Sequence, residues 1–484
     1  MSLLFTAALQ AQPSVAWDSV KRVLHNNIAS LPQRKEWKIE QIQVDGNKTT
    51  RKYIITRELL FTEDDWIHTE DIFQKLSTAR LNILNTQLFL EVLPQLTRLT
   101  DSSLKITITV KERWYIFPIP YFKPIDRNPN QWLVEQRASL ERVNYGLKFN
   151  WENVSGRRDK LRFNYVNGYT RQFLLYYEQP YADRKLQHGF LAGISYARNR
   201  QLAFATDSNR QVFFPSGNNN ITTLITSSWR AEAGYSYRPG VKERHTFRIS
   251  YGVETVPDTI SSLIRDNYNK GFLSYFSNDA SRQPYGELSY LYQYFDVNNI
   301  AYPWKGFAFN TQFIQRGLGI KGMNLWQIKA KAGRYIAVNN KTSFAVVGMG
   351  LLKLPFRQPM YNLQAHGYGD LYLRGLEYYV IDGVMAGIVK TTVRREIMEI
   401  KMPTLIIRNE KYKKIPFKIV GKVFADAGGV HLPFYTNSIL NNRLLYTWGA
   451  GLDILSYYDF AACFEYSFNQ LGEKGLFLHL RRDF

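Results

Sequence analysis

The chain has 484 residues, 45% of them hydrophobic and 21% charged, and it carries 32 Tyr, 30 Phe and 10 Trp. No apolar run reaches the ~18 residues of a spanning helix, which excludes a bundle of transmembrane helices. The single cysteine, Cys463, excludes a disulfide framework and a cysteine-based structural zinc site, while the net charge of +21 points to nucleic acid, anionic lipid or acidic partners.

The charge is unevenly placed. Residues 1–112 hold 14 Lys and Arg against 13 Asp and Glu, so nearly the whole excess lies in residues 113–484, and the main boundary falls near Arg113. Residues 1–12 have a short apolar core ending in small residues and resemble the end of a secretory signal peptide processed near Ala11. No Lys or Arg precedes Lys21, so an ordinary N-terminal helix is the alternative. Residues 13–36 read as a short helix and linker.

Residues 37–112 give strand, two helices, two strands. Ile39, Ile42 and Val44 lead into the turn Asp45-Gly46-Asn47. Thr50 is placed to cap a helix running through Leu59 and Leu60. A second helix starts near Thr69 with Ile72, Phe73, Leu76 and Ile83 as its apolar stripe. Phe89 to Leu96 and the alternating Leu104, Ile106, Ile108 and Val110 form the last two strands. This order, with I-x-V-x-G-N early, R-E-L closing the first helix and L-F-x-E-V entering the second strand, resembles a POTRA domain; another small α+β module is the alternative. POTRA domains receive extended chains at a sheet edge, and Phe89 to Leu96, interrupted by Pro94, is the expected edge.

After Arg113 the period becomes two. Leu325 to Val338 sets Trp326, Ile328, Ala330 and Ala332 on one face and Gln327, Lys329, Lys331 and Gly333 on the other. Soluble sheets also alternate, so periodicity alone leaves a large sandwich or propeller open. About 16 strand candidates begin near Arg113, Val143, Asp159, Arg171, His188, Ser228, Glu243, Gly286, Gly306, Leu325, Thr342, Gly387, Phe417, Leu444, Ala461 and Gly475. That spacing suits ~10 spanning residues plus a loop per strand. The chain ends in a strand with Leu476, Leu478, Leu480 and Phe484 on one face, which resembles the C-terminal signal of outer-membrane barrels. The expected fold is an all-β transmembrane barrel of about 16 antiparallel strands (residues 113–484) behind a small α+β domain (residues 37–112).

Several segments of this barrel resemble the BamA/TamA superfamily of outer-membrane assembly and translocation proteins. The loop 356–383 contains Leu373-Arg374-Gly375-Leu376-Glu377, similar to the family's V/I/L-R-G-F/Y signature, a loop that folds into the lumen. Arg374 and Gly375 match, whereas Leu376 stands where the family has an aromatic; Tyr378 or Tyr379 is the candidate replacement. Phe424-Ala425-Asp426-Ala427-Gly428 resembles the family's F-x-D-x-G, and Glu396 lies where the family places an acidic residue. A guanidinium in a narrow lumen needs partners, so Arg374 is expected to pair with Asp426, with Glu396 as a second candidate. The turns Asn153-Val154-Ser155-Gly156, Gln179-Pro180-Tyr181 and Tyr302-Pro303-Trp304-Lys305-Gly306 are similar to family turns in family order.

The seven histidines fall at no metal-ligand spacing, and nucleophile elbows, Walker loops and dinucleotide fingerprints are missing from the sequence. No enzyme activity, cofactor, metal or nucleic-acid partner is expected. The resemblance implies a bacterial outer-membrane protein with its POTRA domain in the periplasm, which receives unfolded outer-membrane clients and inserts or translocates them through a laterally opening barrel. It further implies contacts with outer-membrane lipid or lipopolysaccharide and with accessory lipoproteins. A passive or gated pore, a structural barrel, and lipid or lipopolysaccharide handling are the alternatives.

Overall fold

The computed structural model describes residues 14–124, 140, 143–183, 185–215, 223–266, 273–277, 279–403, 414–434, 437–456 and 461–480. The expected signal segment, residues 1–12, and Phe484 lie outside these, as does the side chain of Leu480.

The N-terminal domain comprises α1 (Ser14–Ala29), β1 (Glu36–Asp45), α2 (Lys52–Thr56), β2 (Trp66–His68), α3 (Ile72–Asn85), β3 (Phe89–Arg98) and β4 (Ser103–Glu112). Its sheet runs β2-β1-β4-β3, parallel between β1 and β4 and antiparallel elsewhere. Burying one helix stripe against one sheet face makes the core. Ile72, Leu76, Ala79 and Ile83 recur at helical spacing on α3 and pack over Ile39, Ile42, Val92, Ile106 and Ile108. Gly46 ends β1 at φ 85°, and a Cβ there would meet the Val110 carbonyl oxygen at 2.1 Å, so only glycine fits this turn.

Two expectations for this domain need correction. The first helix is only the five residues of α2, with Arg51 and not Thr50 at its N-cap. The Thr50 hydroxyl is engaged with Tyr115 Oη at 3.0 Å and accepts from Asn153 Nδ2 at 2.9 Å, which removes it from capping. The three-residue strand β2 also went unforeseen, because so short a strand has no readable alternation.

The second part is one 16-stranded antiparallel sheet. Its members are β5 (Ile116–Pro124), β6 (Val143–Glu152), β7 (Lys160–Gly168), β8 (Thr170–Gln179), β9 (His188–Asn199), β12 (Thr226–Tyr237), β13 (Glu243–Thr255) and β14 (Arg282–Val297). The series continues with β15 (Gly306–Gly317), β16 (Leu325–Asn339), β17 (Thr342–Leu354), β20 (Met385–Pro403), β21 (Lys414–His431), β22 (Leu445–Leu455), β23 (Ala461–Asn469) and β24 (Lys474–Leu480). Each strand pairs with its neighbour in chain order. Between β9 and β12 stands a separate hairpin, β10 (Leu202–Asp207) and β11 (Arg210–Phe214); α4 (Thr259–Asp266) follows β13, and the short strands β18 (Gln364–His366) and β19 (Ile381–Asp382) lie in the loop before β20.

The sheet is a barrel because its two faces see different surroundings. On β21, Val420, Lys422, Phe424 and Asp426 are buried while the intervening Val423 is 55% exposed. On β23, Cys463, Glu465, Ser467 and Asn469 are buried and Phe464 and Tyr466 are exposed. Curvature brings non-neighbours together across the interior, as where Tyr302 Oη, between β14 and β15, donates to Asp453 of β22 at 2.7 Å. A polar inside and an apolar outside with every interior ladder paired is the arrangement a bilayer permits.

The N-terminal domain is fastened to the turns at one barrel end. Arg51 N–H donates to Gly156 O at 3.0 Å, and Asn85 Nδ2 donates to Val297 O at 3.1 Å. At the centre of this contact Glu58, fully buried, accepts from Arg238 Nη1 at 2.6 Å and Nη2 at 3.1 Å. Arg57 Nε donates to Leu186 O at 2.7 Å, and the Arg57 and Arg238 guanidinium groups lie 5.1 and 5.8 Å from the Tyr181 ring centroid. Burial opposes the charge of Arg238, but the adjacent Glu58 carboxylate outweighs it and holds its pKa above the ordinary arginine value.

Two outcomes follow. Val423→Lys should destabilise the barrel by about 2–4 kcal/mol, because it puts an ammonium group on the outward face; urea unfolding in lipid vesicles measures this, and an unchanged midpoint would contradict the assignment of that face to lipid. Glu58→Gln should leave Arg238 buried beside a neutral partner and loosen the docked domain. Faster hydrogen exchange at the Arg51 amide is the expected reading.

Candidate functional site

The loop between β17 and β20 turns into the barrel. It enters and leaves through Lys353, whose Nζ donates to Gln364 O at 2.6 Å and to Gly383 O at 3.3 Å. Leu373, Leu376, Tyr379 and Ile381 bury their side chains among Leu351, Ile388, Val430 and Leu445 of the wall. The His366 ring accepts the Leu373 amide at 2.9 Å, fixing the turn that presents Arg374.

Arg374 is 3% exposed. Its Nε donates to Asp426 Oδ2 at 2.8 Å, Nη2 pairs with Asp426 Oδ1, and its backbone amide reaches Oδ2 at 3.2 Å. Nη1 donates to Thr392 Oγ1 at 3.1 Å and Nη2 to Thr391 O at 3.3 Å, while the Phe424 ring lies under the guanidinium at 3.9 Å. Bidentate pairing plus a stacked ring replaces most of the water the group has lost. Gly375 sits at φ 92°, its carbonyl accepts from Asn469 Nδ2 at 2.9 Å, and a Cβ there would lie 2.9 Å from Ser467 Cβ. Glycine is needed both for the turn and for this approach.

The remaining candidates fall differently. Glu396 is not in the Arg374 group: its carboxylate pairs with Lys418 at 2.8 Å, further along the wall. Four strand residues separate Glu396 from Thr392, about 13 Å at the rise of a β-strand, beyond the reach of Arg374. The second carboxylate near Arg374 is Glu465 on β23, at 3.9 Å from Nη1. Glu465 also meets Lys422 at 2.7 Å, and Lys422 meets Asp453 at 2.5 Å. The inward position of Glu465 was readable from alternation, but which strand curls round to face the loop was not. Leu376 is fully buried in the loop's apolar cluster; Tyr379 is buried with its hydroxyl donating to Glu473 at 2.7 Å, and Tyr378 lies 58% exposed against Phe477. The aromatic that stacks on Arg374 is therefore Phe424, from the wall.

Leu476 and Leu478 point outward on β24, at 67% and 58% exposure. Among the described residues β24 pairs only with β23 and β5 only with β6, so these are the two end strands of the sheet, and the junction between them is its seam.

Residues 37–113 match the family described as POTRA, surface antigen variable number repeat. Among curated proteins no match is found. Among solved structures, CdiB from Escherichia coli is similar at 11% identity over 93% of this chain and 75% of its own, with a TM-score of 0.51. BamA from Haemophilus ducreyi lacking POTRA domains 1–3 aligns at 16% identity over 92% of this chain and 83% of its own, with a TM-score of 0.48. The chain is a POTRA-plus-barrel protein. Its POTRA domain is the N-terminal domain docked on the barrel turns, and its barrel carries the Arg374 loop.

Removing either member of the buried pair strands the other charge. Arg374→Ala and Asp426→Ala should each cost about 3–5 kcal/mol. The double variant should cost less than the sum of the two. Unfolding free energies in detergent test this; additive losses would show that the two side chains act separately.

Proposed function

We propose that this POTRA-plus-barrel protein resides in the bacterial outer membrane with the POTRA domain in the periplasm, and that it inserts or translocates polypeptides by opening the seam between β5 and β24. The observation that carries this reading is the seam itself, two strand edges with no ladder between them among the described residues, in a chain whose residues 37–113 match the POTRA family. The likeness in fold to CdiB supports it. In this reading a client chain first adds as a strand to the POTRA sheet. The β3 edge offers the site, although its Val92 and Leu96 carbonyls already accept from Arg80 Nε at 3.1 Å and Asn27 Nδ2 at 3.3 Å. A client must displace these two side chains. Basic residues in the barrel meet anionic lipid or lipopolysaccharide headgroups, and accessory lipoproteins would dock from the periplasm.

A gated pore is the second reading, favoured by the charged ladder Arg230–Glu287–Arg316 on the inner wall, with contacts of 2.7 Å on both sides of Glu287. Cysteine pairs introduced along β5 and β24 separate the two. A verified cross-link across the seam should abolish client insertion or secretion in cells depleted of the native protein. Full activity of the cross-linked form would overturn the lateral-opening mechanism, and ion conductance that survives the cross-link would favour the pore.

A further inference from the structure

Three side chains from separate elements converge where the lumenal loop meets the last strand. His479 Nε2, on β24, lies 3.1 Å from Glu377 Oε1, in the loop, and 3.3 Å from Glu465 Oε2, on β23. All three donor atoms lie within 4.8 Å of one another. Each carboxylate spends its other oxygen elsewhere. Glu377 Oε2 accepts the Gly375 amide at 2.7 Å, and Glu465 Oε1 faces Lys422 at 2.7 Å. The imidazole is held in place by the Tyr372 ring, 5.6 Å away between centroids.

A proton does not satisfy this arrangement. Nε2 carries at most one N–H, and donating it to Glu377 leaves Glu465 Oε2 without a hydrogen bond in a fully buried residue. A divalent ion accepting the Nε2 lone pair and one oxygen from each carboxylate satisfies all three at once. Donor atoms around a tetrahedral zinc ion stand about 3.3–3.5 Å apart, close to the two separations seen to Nε2. The oriented outer oxygens of both glutamates are the supporting contacts that ligating carboxylates generally have.

We propose that Glu377, Glu465 and His479 form a binding site for a divalent transition-metal ion of the zinc class. The fold gathers the ligands from positions with no readable metal spacing, which is why the expectation of no metal followed from the sequence. Such an ion ties the loop that carries Arg374 to the last two strands and so to one side of the seam. The site does not depend on what the barrel transports.

The test uses the full-length, untagged protein in detergent, stripped with a chelator and titrated with zinc chloride, with bound metal counted after gel filtration. About one zinc per chain is expected, with affinity reduced at least about tenfold in both His479→Ala and Glu377→Gln. Heat-modifiable gel mobility verifies that each variant is folded; should His479→Ala fail to fold, Glu377→Gln decides, since it keeps the side chain's size and removes one ligand charge. Absence of zinc from the wild-type protein after titration, or equal affinity in the folded variants, would overturn the proposal.

Discussion

A guanidinium group shut inside a barrel sets the terms for everything around it. Arg374 has lost nearly all its water, and a buried charge is tolerable only where hydrogen-bonding partners surround it. Asp426 meets Nε and Nη2, the Thr391 carbonyl shares Nη2, Thr392 takes Nη1, and Phe424 covers the face. These partners belong to β20 and β21, so the loop cannot satisfy its arginine without lying in one position across that wall. Glu465 and Lys422 extend the same network to β22 and β23. The loop is thereby a fixed part of the interior, held by charge at one point and by a small apolar cluster around Leu373 and Leu376.

The opposite end of the barrel follows the same logic. Glu58 is buried between domain and barrel, where a lone carboxylate would be costly, and Arg238 from the turn after β12 pairs with both of its oxygens. Tyr181 and Arg57 close the cluster from two further directions. Because the contact is polar and geometrically demanding, it fixes the orientation of the POTRA sheet relative to the barrel more than it adds stability.

The fold was legible because lipid and lumen impose opposite demands on alternate residues. All 16 strands, as described, begin within four residues of where alternation and turn residues place them, the largest offset being β14, at Arg282 instead of Gly286. The hairpin β10–β11 and helix α4 escaped notice because neither borders lipid, so nothing enforces a pattern on them. At the site, Arg374 and Asp426 were readable from motif order and parity, but Glu465 and Glu396 were not separable. Both are inward carboxylates by alternation, and only the height of each along its strand decides which one meets the arginine. The turns around Asn153 and Tyr181 read as simple reversals, yet Asn153 is fully buried against Thr50 and Tyr181 against Glu58. A turn that doubles as a docking surface has the same sequence as one that does not.

The edge of β5 that faces away from β6 is poor in backbone donors, for a reason written in its sequence. This strand keeps an unbroken antiparallel ladder with β6 from Ile116 to Pro124, although Pro118, Pro120 and Pro124 lack an N–H. All three prolines share one parity. In an antiparallel pair, alternate residues direct both backbone groups to the same neighbour, so the ladder to β6 must be carried by the odd positions. The even positions then face the seam, and three of their donors do not exist. The edge of β5 that faces away from β6 thus lacks three donors, and the loss is built into the covalent structure of the first strand.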